Sequence, residues 1–226
     1  MTLRTEDINQ IVITQDMLDV ADKCARDHIK ADAHETPIFQ TNEYKNKLVG
    51  YLGQVAFKNF LADRGIKKDF SKVNMDGSPD THDFKIREKS IDVKTLLWNN
   101  YWGHENHTNW IPAVGAIESP SDLITKFFFL IPQIQLNIND SYNSYWDTRK
   151  KKNSPKDVYW ALFLKQEGDG FLNSTVYIVG WCKYERILKA DSEKSFFRFD
   201  KKYHTNIAIP LNELNTNNSF FEEKIK

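Results

Sequence analysis

Cysteine is almost absent from this sequence of 226 residues, which contains only Cys24 and Cys182. Two cysteines so far apart form no CxxC pair and give no disulfide framework. The first residues, MTLRTEDINQ, lack the apolar core of a signal peptide. We therefore expect a reducing, cytoplasmic location.

Long hydrophobic runs are also missing. Even ITKFFFLIP contains Lys126 and stops at Pro132, whereas a membrane-spanning helix needs about 20 apolar residues. No membrane association is expected.

Neither charge sign is in excess, since 31 Lys and Arg balance 31 Asp and Glu. The chain thus has no overall field of the kind that by itself indicates nucleic-acid binding. Any basic surface must be local. The candidates are the runs Lys67-Lys68, Lys85 to Lys89, Arg149 to Lys152 and Lys201-Lys202.

Several catalytic patterns are lacking as well. There is no Ser-His-Asp order and no phosphate-binding glycine loop, so nucleotide hydrolysis and redox chemistry have no support. His104 and His107 have HxxH spacing, but no third zinc ligand accompanies them.

What the chain does have is a folded composition, with 40% hydrophobic residues and 15 Phe. Its length suits a single domain over residues 1–226 with a substantial core. Apolar residues recur at helical spacing from Thr14 to Ala31 and from Glu43 to Asp63, and Gly65 ends the second helix. We place the core at about 43–188, preceded by the N-terminal helix 14–31 and followed by a C-terminal extension at 190–226.

Strand patterns alternate with these helices. We predict strands at 70–74, 123–136, 158–165 and 175–182, a short helix at 184–189, and one more strand between Phe196 and Leu214 that ends in a turn. Residues 98–122 form a long loop, in which Trp98, Tyr101, Trp102 and Trp110 could stack on bases. The change between helical and strand periods indicates an α/β fold, a central mixed β-sheet flanked by helices.

The segment THDFKIREKSIDVKT, residues 81 to 95, predicts a β-hairpin. With a turn centred on Glu88 and Lys89, Ile86 faces Ile91 and Phe84 faces Val93. The same register sets Asp83 opposite Lys94 and Lys85 opposite Asp92. All four polar side chains then leave one face of the sheet.

Two carboxylates and a lysine on one face suit a hard divalent ion. Mg²⁺ prefers oxygen ligands and commonly takes one or two protein carboxylates, which Asp83 and Asp92 could supply, with the Val93 carbonyl as a further oxygen. Lys94, two residues after Asp92, would lie beside a metal-bound water. The alternative is an ordinary cross-strand ion pair between Asp83 and Lys94.

The helix before the hairpin contains Gly50, Gly53 and Gln54 in the pattern GYLGQVA. Glycines inside a helix cost stability, which indicates that another part of the chain approaches its backbone closely.

Together with HDF, IDVKT and the later VYIVGWCKYERIL, this helix resembles the PD-(D/E)XK nuclease superfamily, which has the restriction-endonuclease-like fold. The resemblance spans residues 43 to 188. It implies Mg²⁺, with Mn²⁺ as a substitute, held by Asp83 and Asp92, and Lys94 assisting the attacking water. Gln54 stands where the family often has Glu, and Asp80 of the Pro79-Asp80 pair is the alternative ligand to Asp83.

The resemblance implies a metal-dependent endonuclease of restriction type that hydrolyses phosphodiester bonds of double-stranded DNA. A homodimer would let one site per subunit cut each strand. The alternative is a catalytically inactive nuclease-like module that binds nucleic acid or a protein partner, because Gln54 brings no charge to the site.

Overall fold

The computed structural model describes residues 3–32, 43–69, 83–98, 119–132, 155–193, 196–200 and 204–223. The helices are α1 (Gln15–Asp32), α2 (Glu43–Ala62), α3 (Pro120–Lys126), α4 (Tyr184–Ser192) and α5 (Asn217–Glu222). The strands are β1 (Asn9–Val12), β2 (Phe84–Ile86), β3 (Lys89–Leu97), β4 (Phe128–Pro132), β5 (Val158–Lys165), β6 (Thr175–Lys183), β7 (Phe196–Asp200) and β8 (His204–Pro210). Single 3-10 turns lie at Thr5–Asp7 and Leu211–Glu213.

A curled, mixed sheet of five strands has the order β1-β6-β5-β3-β2 and is flanked by helices. This confirms the predicted α/β class. β5 and β6 are buried along nearly their whole length, as expected for inner strands with apolar residues on both faces. β1, which the sequence reading missed, pairs antiparallel with β6.

The chain divides into two compact units. The first comprises Met1–Ile8, Trp102–Ala161 and Val179–Lys226, and the second comprises Asn9–Tyr101 and Leu162–Ile178. Both are discontinuous in sequence, and the single domain over 1–226 stays a prediction.

In the second unit, α1 and α2 lie side by side and match their predicted bounds. Thr14 begins α1, since its Oγ1 accepts a hydrogen bond from the Met17 N–H at 3.4 Å. The His28 ring bridges the two helices, with Nδ1 2.9 Å from the Tyr51 hydroxyl. α2 ends before Gly65, whose φ of +74° is the left-handed conformation that terminates many helices.

α2 also crosses β3 in close contact. A Cβ at Gly53 would lie 1.7 Å from the Thr95 hydroxyl oxygen, so only glycine permits this approach. A Cβ at Gly50 would have no atom within 4 Å among the residues described. The predicted close approach is therefore confirmed for Gly53 and wrong for Gly50.

The β2–β3 hairpin forms, but its register differs from the predicted one. Phe84 pairs with Ile91, Lys85 with Ser90 and Ile86 with Lys89, and the turn consists of Arg87 and Glu88. The predicted turn at Glu88 and Lys89 is therefore wrong, as is the pairing of Lys85 with Asp92. The observed register differs from the predicted one by two residues, so every side chain of the hairpin stays on the predicted face of the sheet.

Residues 123–126 are helical, which corrects the predicted strand from Leu123 to Leu136. Ser119 and Asp122 form a capping box, in which each side chain accepts the other's backbone N–H at 3.2 Å. Pro120 occupies the first helical position, where its missing N–H costs nothing. The strand β4 begins only at Phe128.

The first unit contains a second sheet, of order β4-β8-β7. The one strand predicted after Phe196 is in fact two antiparallel strands, β7 and β8. The tail beyond them is not merely polar, because α5 inserts Phe220 between Trp160 and Trp181, with ring centroids 5.5 and 5.3 Å apart. Asn217 ties the tail to the N-terminal segment through the Asp7 carbonyl, at 3.0 Å.

Some predicted features lie outside the described residues. These are the strand at 70–74, Asp80, His104, His107 and the loop aromatics other than Trp98. Among the helices that are described, none has the length and apolar character needed to cross a bilayer.

The two helix glycines should respond oppositely to alanine. Gly53→Ala forces a Cβ against Thr95 and should lower the free energy of unfolding by about 1–3 kcal/mol, the usual cost of overpacking. Gly50→Ala gains helix propensity in open space and should raise it by up to about 1 kcal/mol. Urea unfolding measures both. Equal effects of the two substitutions would contradict the contact, and adding Thr95→Ala should recover part of the Gly53→Ala loss.

Alkaline pH should destabilise the fold through Cys182. Burial raises the pKa of this thiol from its ordinary 9.0 to about 12. Between these values the unfolded chain loses the thiol proton while the folded chain keeps it, so stability falls as pH rises. The slope reaches about 1.4 kcal/mol per pH unit. Cys182→Ala should remove this slope from unfolding free energies measured between pH 8 and 10.5, and identical slopes in both proteins would contradict the burial.

Candidate active site

The crossing of α2 over β3 brings Gln54 to Asp83. Its side-chain amide Nε2 donates a hydrogen bond of 2.7 Å to Asp83 Oδ1. The other carboxylate oxygen, Oδ2, accepts the backbone N–H of Val93 at 2.5 Å. Asp83 is only 7% exposed, and these two bonds stabilise its buried charge.

Asp92 and Lys94 flank that Val93 N–H on β3. Their side chains meet in an ion pair of 2.8 Å between Lys94 Nζ and Asp92 Oδ2, as residues two apart on one strand face can. Asp92 is buried, and the Lys94 side chain is 22% exposed. The predicted alternative partner for Lys94, Asp83, is bonded to Gln54 and Val93.

Hydrogen bonds thus join Gln54, Asp83 and the Val93 backbone, next to the ion pair of Asp92 and Lys94. Asp83 contacts both Gln54 and the backbone between Asp92 and Lys94. The N–H and carbonyl of a strand residue point toward the same neighbouring strand, so the Val93 carbonyl leaves β3 on the side of Asp83. Its role as a metal ligand stays a prediction.

Two buried side-chain oxygens at this site have no hydrogen-bond partner among the described residues, and one of them belongs to Gln54. Gln54 Oε1 is buried and accepts no hydrogen bond from any described residue. A buried acceptor left unsatisfied costs about 1–3 kcal/mol. Turning the amide over would place its oxygen against the Asp83 carboxylate and repel it, so the favourable orientation of the amide is the one that leaves Oε1 without this partner.

Sequence reasoning missed Thr95, the last residue of IDVKT. Its buried hydroxyl also lacks a hydrogen-bond partner within the described part of the chain, and it occupies the space that Gly53 leaves open. The sequence signal for Thr95 was Gly53, the residue before Gln54. Only the crossing of α2 over β3 shows that Thr95 is the residue packed against this glycine.

The donor set suits a hard cation better than zinc. Two carboxylates, a backbone carbonyl and an unpartnered amide oxygen are all oxygen donors, which Mg²⁺ prefers. No group of three or more His, Cys, Asp or Glu side chains clusters in the described ranges. A magnesium ion does not need three carboxylates, because it usually retains several waters. The residues present therefore fit Mg²⁺.

Comparison with known proteins gives no further guide, since no family model, no curated protein and no solved structure matches this chain.

Substitutions of Gln54 separate a structural role from a cation-binding role. Gln54→Leu removes the donor to Asp83 and should lower the free energy of unfolding by about 1–3 kcal/mol, with or without Mg²⁺. Gln54→Glu places a second carboxylate against Asp83, and repulsion should destabilise the protein in EDTA. If the site binds a cation, 10 mM Mg²⁺ should restore this variant through ligand-linked stabilisation.

Urea unfolding in EDTA and in Mg²⁺ gives these values. Asp16→Asn, an exposed position in the first turn of α1, is the control for general ionic effects. Mg²⁺ that stabilises Gln54→Glu no more than Asp16→Asn would count against a cation at Asp83.

Proposed function

We propose that this protein is a Mg²⁺-dependent endonuclease that hydrolyses phosphodiester bonds of double-stranded DNA, a restriction-type member of the PD-(D/E)XK superfamily with its fold. The observation that carries the proposal is the linkage of Asp83 to the backbone between Asp92 and Lys94. That hydrogen bond holds the Asp83 carboxylate beside the strand segment that carries Asp92 and Lys94, and two carboxylates suit a metal ion that activates water for phosphodiester hydrolysis.

The residues divide into three roles. Asp83 and Asp92 hold the ion, and Gln54 fixes the Asp83 carboxylate while its free oxygen accepts from a water. Lys94 orients a water toward the phosphate and donates a hydrogen bond to a phosphate oxygen. When bound, Mg²⁺ makes a coordinated water more acidic and offsets the phosphate charge.

One such site cuts one strand at a time, so the proposal includes a homodimer in which each subunit cuts one strand of the duplex. Closed twofold dimers are the commonest oligomers and match the twofold symmetry of duplex DNA.

A second candidate function is a binding module without catalysis. It is favoured by the pairing already present, because Lys94 neutralises Asp92 and both oxygens of Asp83 accept N–H bonds. Gln54 contributes no charge, so a cation here would be held less tightly than by three carboxylates.

Plasmid cleavage in Mg²⁺ and in Mn²⁺ decides between the two functions. The wild-type protein should nick or linearise supercoiled DNA, and Asp92→Asn and Lys94→Met should each lower the rate by about 10²-fold or more. Asp16→Asn and Lys23→Met are matched controls at exposed positions of α1 and should cut like the wild type.

The outcomes are distinct. No cleavage by the wild-type protein over many plasmid sequences and both ions would favour the binding module. Cleavage that Asp92→Asn leaves unchanged would remove the site assignment.

A further inference from the structure

The tip of the β2–β3 hairpin is an exposed basic projection. Arg87 and Glu88 form its turn with φ values of 50° and 63°, as two-residue hairpin turns of type I′ require. Lys85 precedes the turn with its side chain 53% exposed, and Glu88 is 90% exposed. Lys89 follows the turn and is half-buried.

A second basic run follows α2 in the chain. Lys67 and Lys68 are exposed in the segment that follows α2, and Asp69 ties that segment to α2 through an ion pair of 3.1 Å with Lys58. The pKa of Glu88 is lowered mainly by its hydrogen bond to Lys85, and the positive charge of Lys68 also lowers it, so Lys68 lies within electrostatic range of the turn.

The two runs together are here called the basic tip: Lys67, Lys68, Lys85, Arg87 and Lys89. Among the described residues of the two runs, Glu88 is the acid at the turn, and Asp69, which follows Lys68, pairs with Lys58. In a chain with no net charge, this is a local excess of positive charge.

One member of the basic tip lies on the sheet face that contains part of the candidate site. By the observed pairing, Lys85 shares the pleat face of Asp92 and Lys94. Glu88 and Asp92 are four residues apart, about 13 Å along a strand, which matches about four base pairs of duplex at 3.4 Å each. One DNA molecule could span both places.

The composition of the tip selects a polyanion over a membrane. Interfacial membrane binding needs apolar side chains beside the basic ones. The exposed large hydrophobic residues among those described are Val12, Val20, Tyr44, Leu172 and Leu188, and none is in the hairpin. Regularly spaced phosphates, by contrast, suit a row of cations along two adjoining segments.

We propose that the basic tip binds the phosphate backbone of double-stranded DNA next to the candidate site, an inference that rests on the proposed function for its choice of DNA. The contacts are to phosphates and carry no sequence specificity.

Salt-dependent binding of a fluorescein-labelled 30-base-pair duplex, followed by anisotropy in EDTA, tests this without any cleavage. The variant Lys68→Gln, Lys85→Gln, Arg87→Gln should bind at least tenfold more weakly at 0.1 M salt. Its slope of log affinity against log salt should be smaller by about 3, close to one per phosphate contact. Glu88→Gln should bind about two- to threefold more tightly, because it removes the acid at the turn.

The control variant is Lys23→Gln, Lys30→Gln, Lys189→Gln, which changes the net charge equally at exposed positions on α1 and α4. It should retain wild-type affinity and slope. Thermal melting checks that both triple variants fold.

Equal loss in the tip and control variants would overturn the inference, and so would a wild-type protein that binds no duplex at 50 mM salt. Tighter tip-dependent binding to single-stranded RNA would overturn the choice of DNA. Tip-dependent duplex binding without cleavage in Mg²⁺ would support the inference while contradicting the proposed endonuclease.

Discussion

The contact between Gly53 and Thr95 is the constraint on which the rest of the site depends. It sets how closely α2 crosses β3, and the next residue of the helix, Gln54, reaches Asp83 only from that position. A larger residue at 53 would lift the helix by the size of a methyl group. A 2.7 Å hydrogen bond does not tolerate such a shift, because its energy falls steeply with distance. The same contact therefore determines both the packing of α2 on β3 and the position of Gln54 in the site.

Asp83 has two tasks in this arrangement. Its carboxylate fastens the end of β2 to β3 through the Val93 N–H, and it is the residue that joins α2 to the Asp92–Lys94 pair. A buried carboxylate that accepts two N–H bonds is a stable structural element by itself. A purely structural role leaves the side-chain oxygen of Gln54 unexplained, because it has no hydrogen-bond partner within the described part of the chain and a complete network would satisfy it. A water or cation beside Asp83 would complete it.

The zero net charge of the chain conceals an uneven surface. Folding brings Lys68 within electrostatic range of the hairpin that contains Lys85 and Arg87, while carboxylates elsewhere balance the total. The local electric field governs the encounter with a charged partner, because salt at about 0.1 M screens charges that lie more than about 10 Å away. A neutral composition therefore does not exclude a DNA-binding surface.

Local sequence patterns were enough to predict the elements whose apolar period is complete within one segment: α1, α2, β5, β6, and the hairpin face formed by Phe84, Ile86, Ile91 and Val93. The cap at Ser119 is also a local feature, but the apolar residues after it led to the prediction of a strand in place of the helix α3. Tertiary structure decided the hairpin register, the docking of α5 through Phe220, and which glycine of α2 was needed. It also decided the hydrogen bond between Gln54 and Asp83, 29 residues apart. Hydrophobic periodicity specifies a face, but a two-residue slip preserves that face. Only contacts between distant segments can therefore select the register and assemble the site.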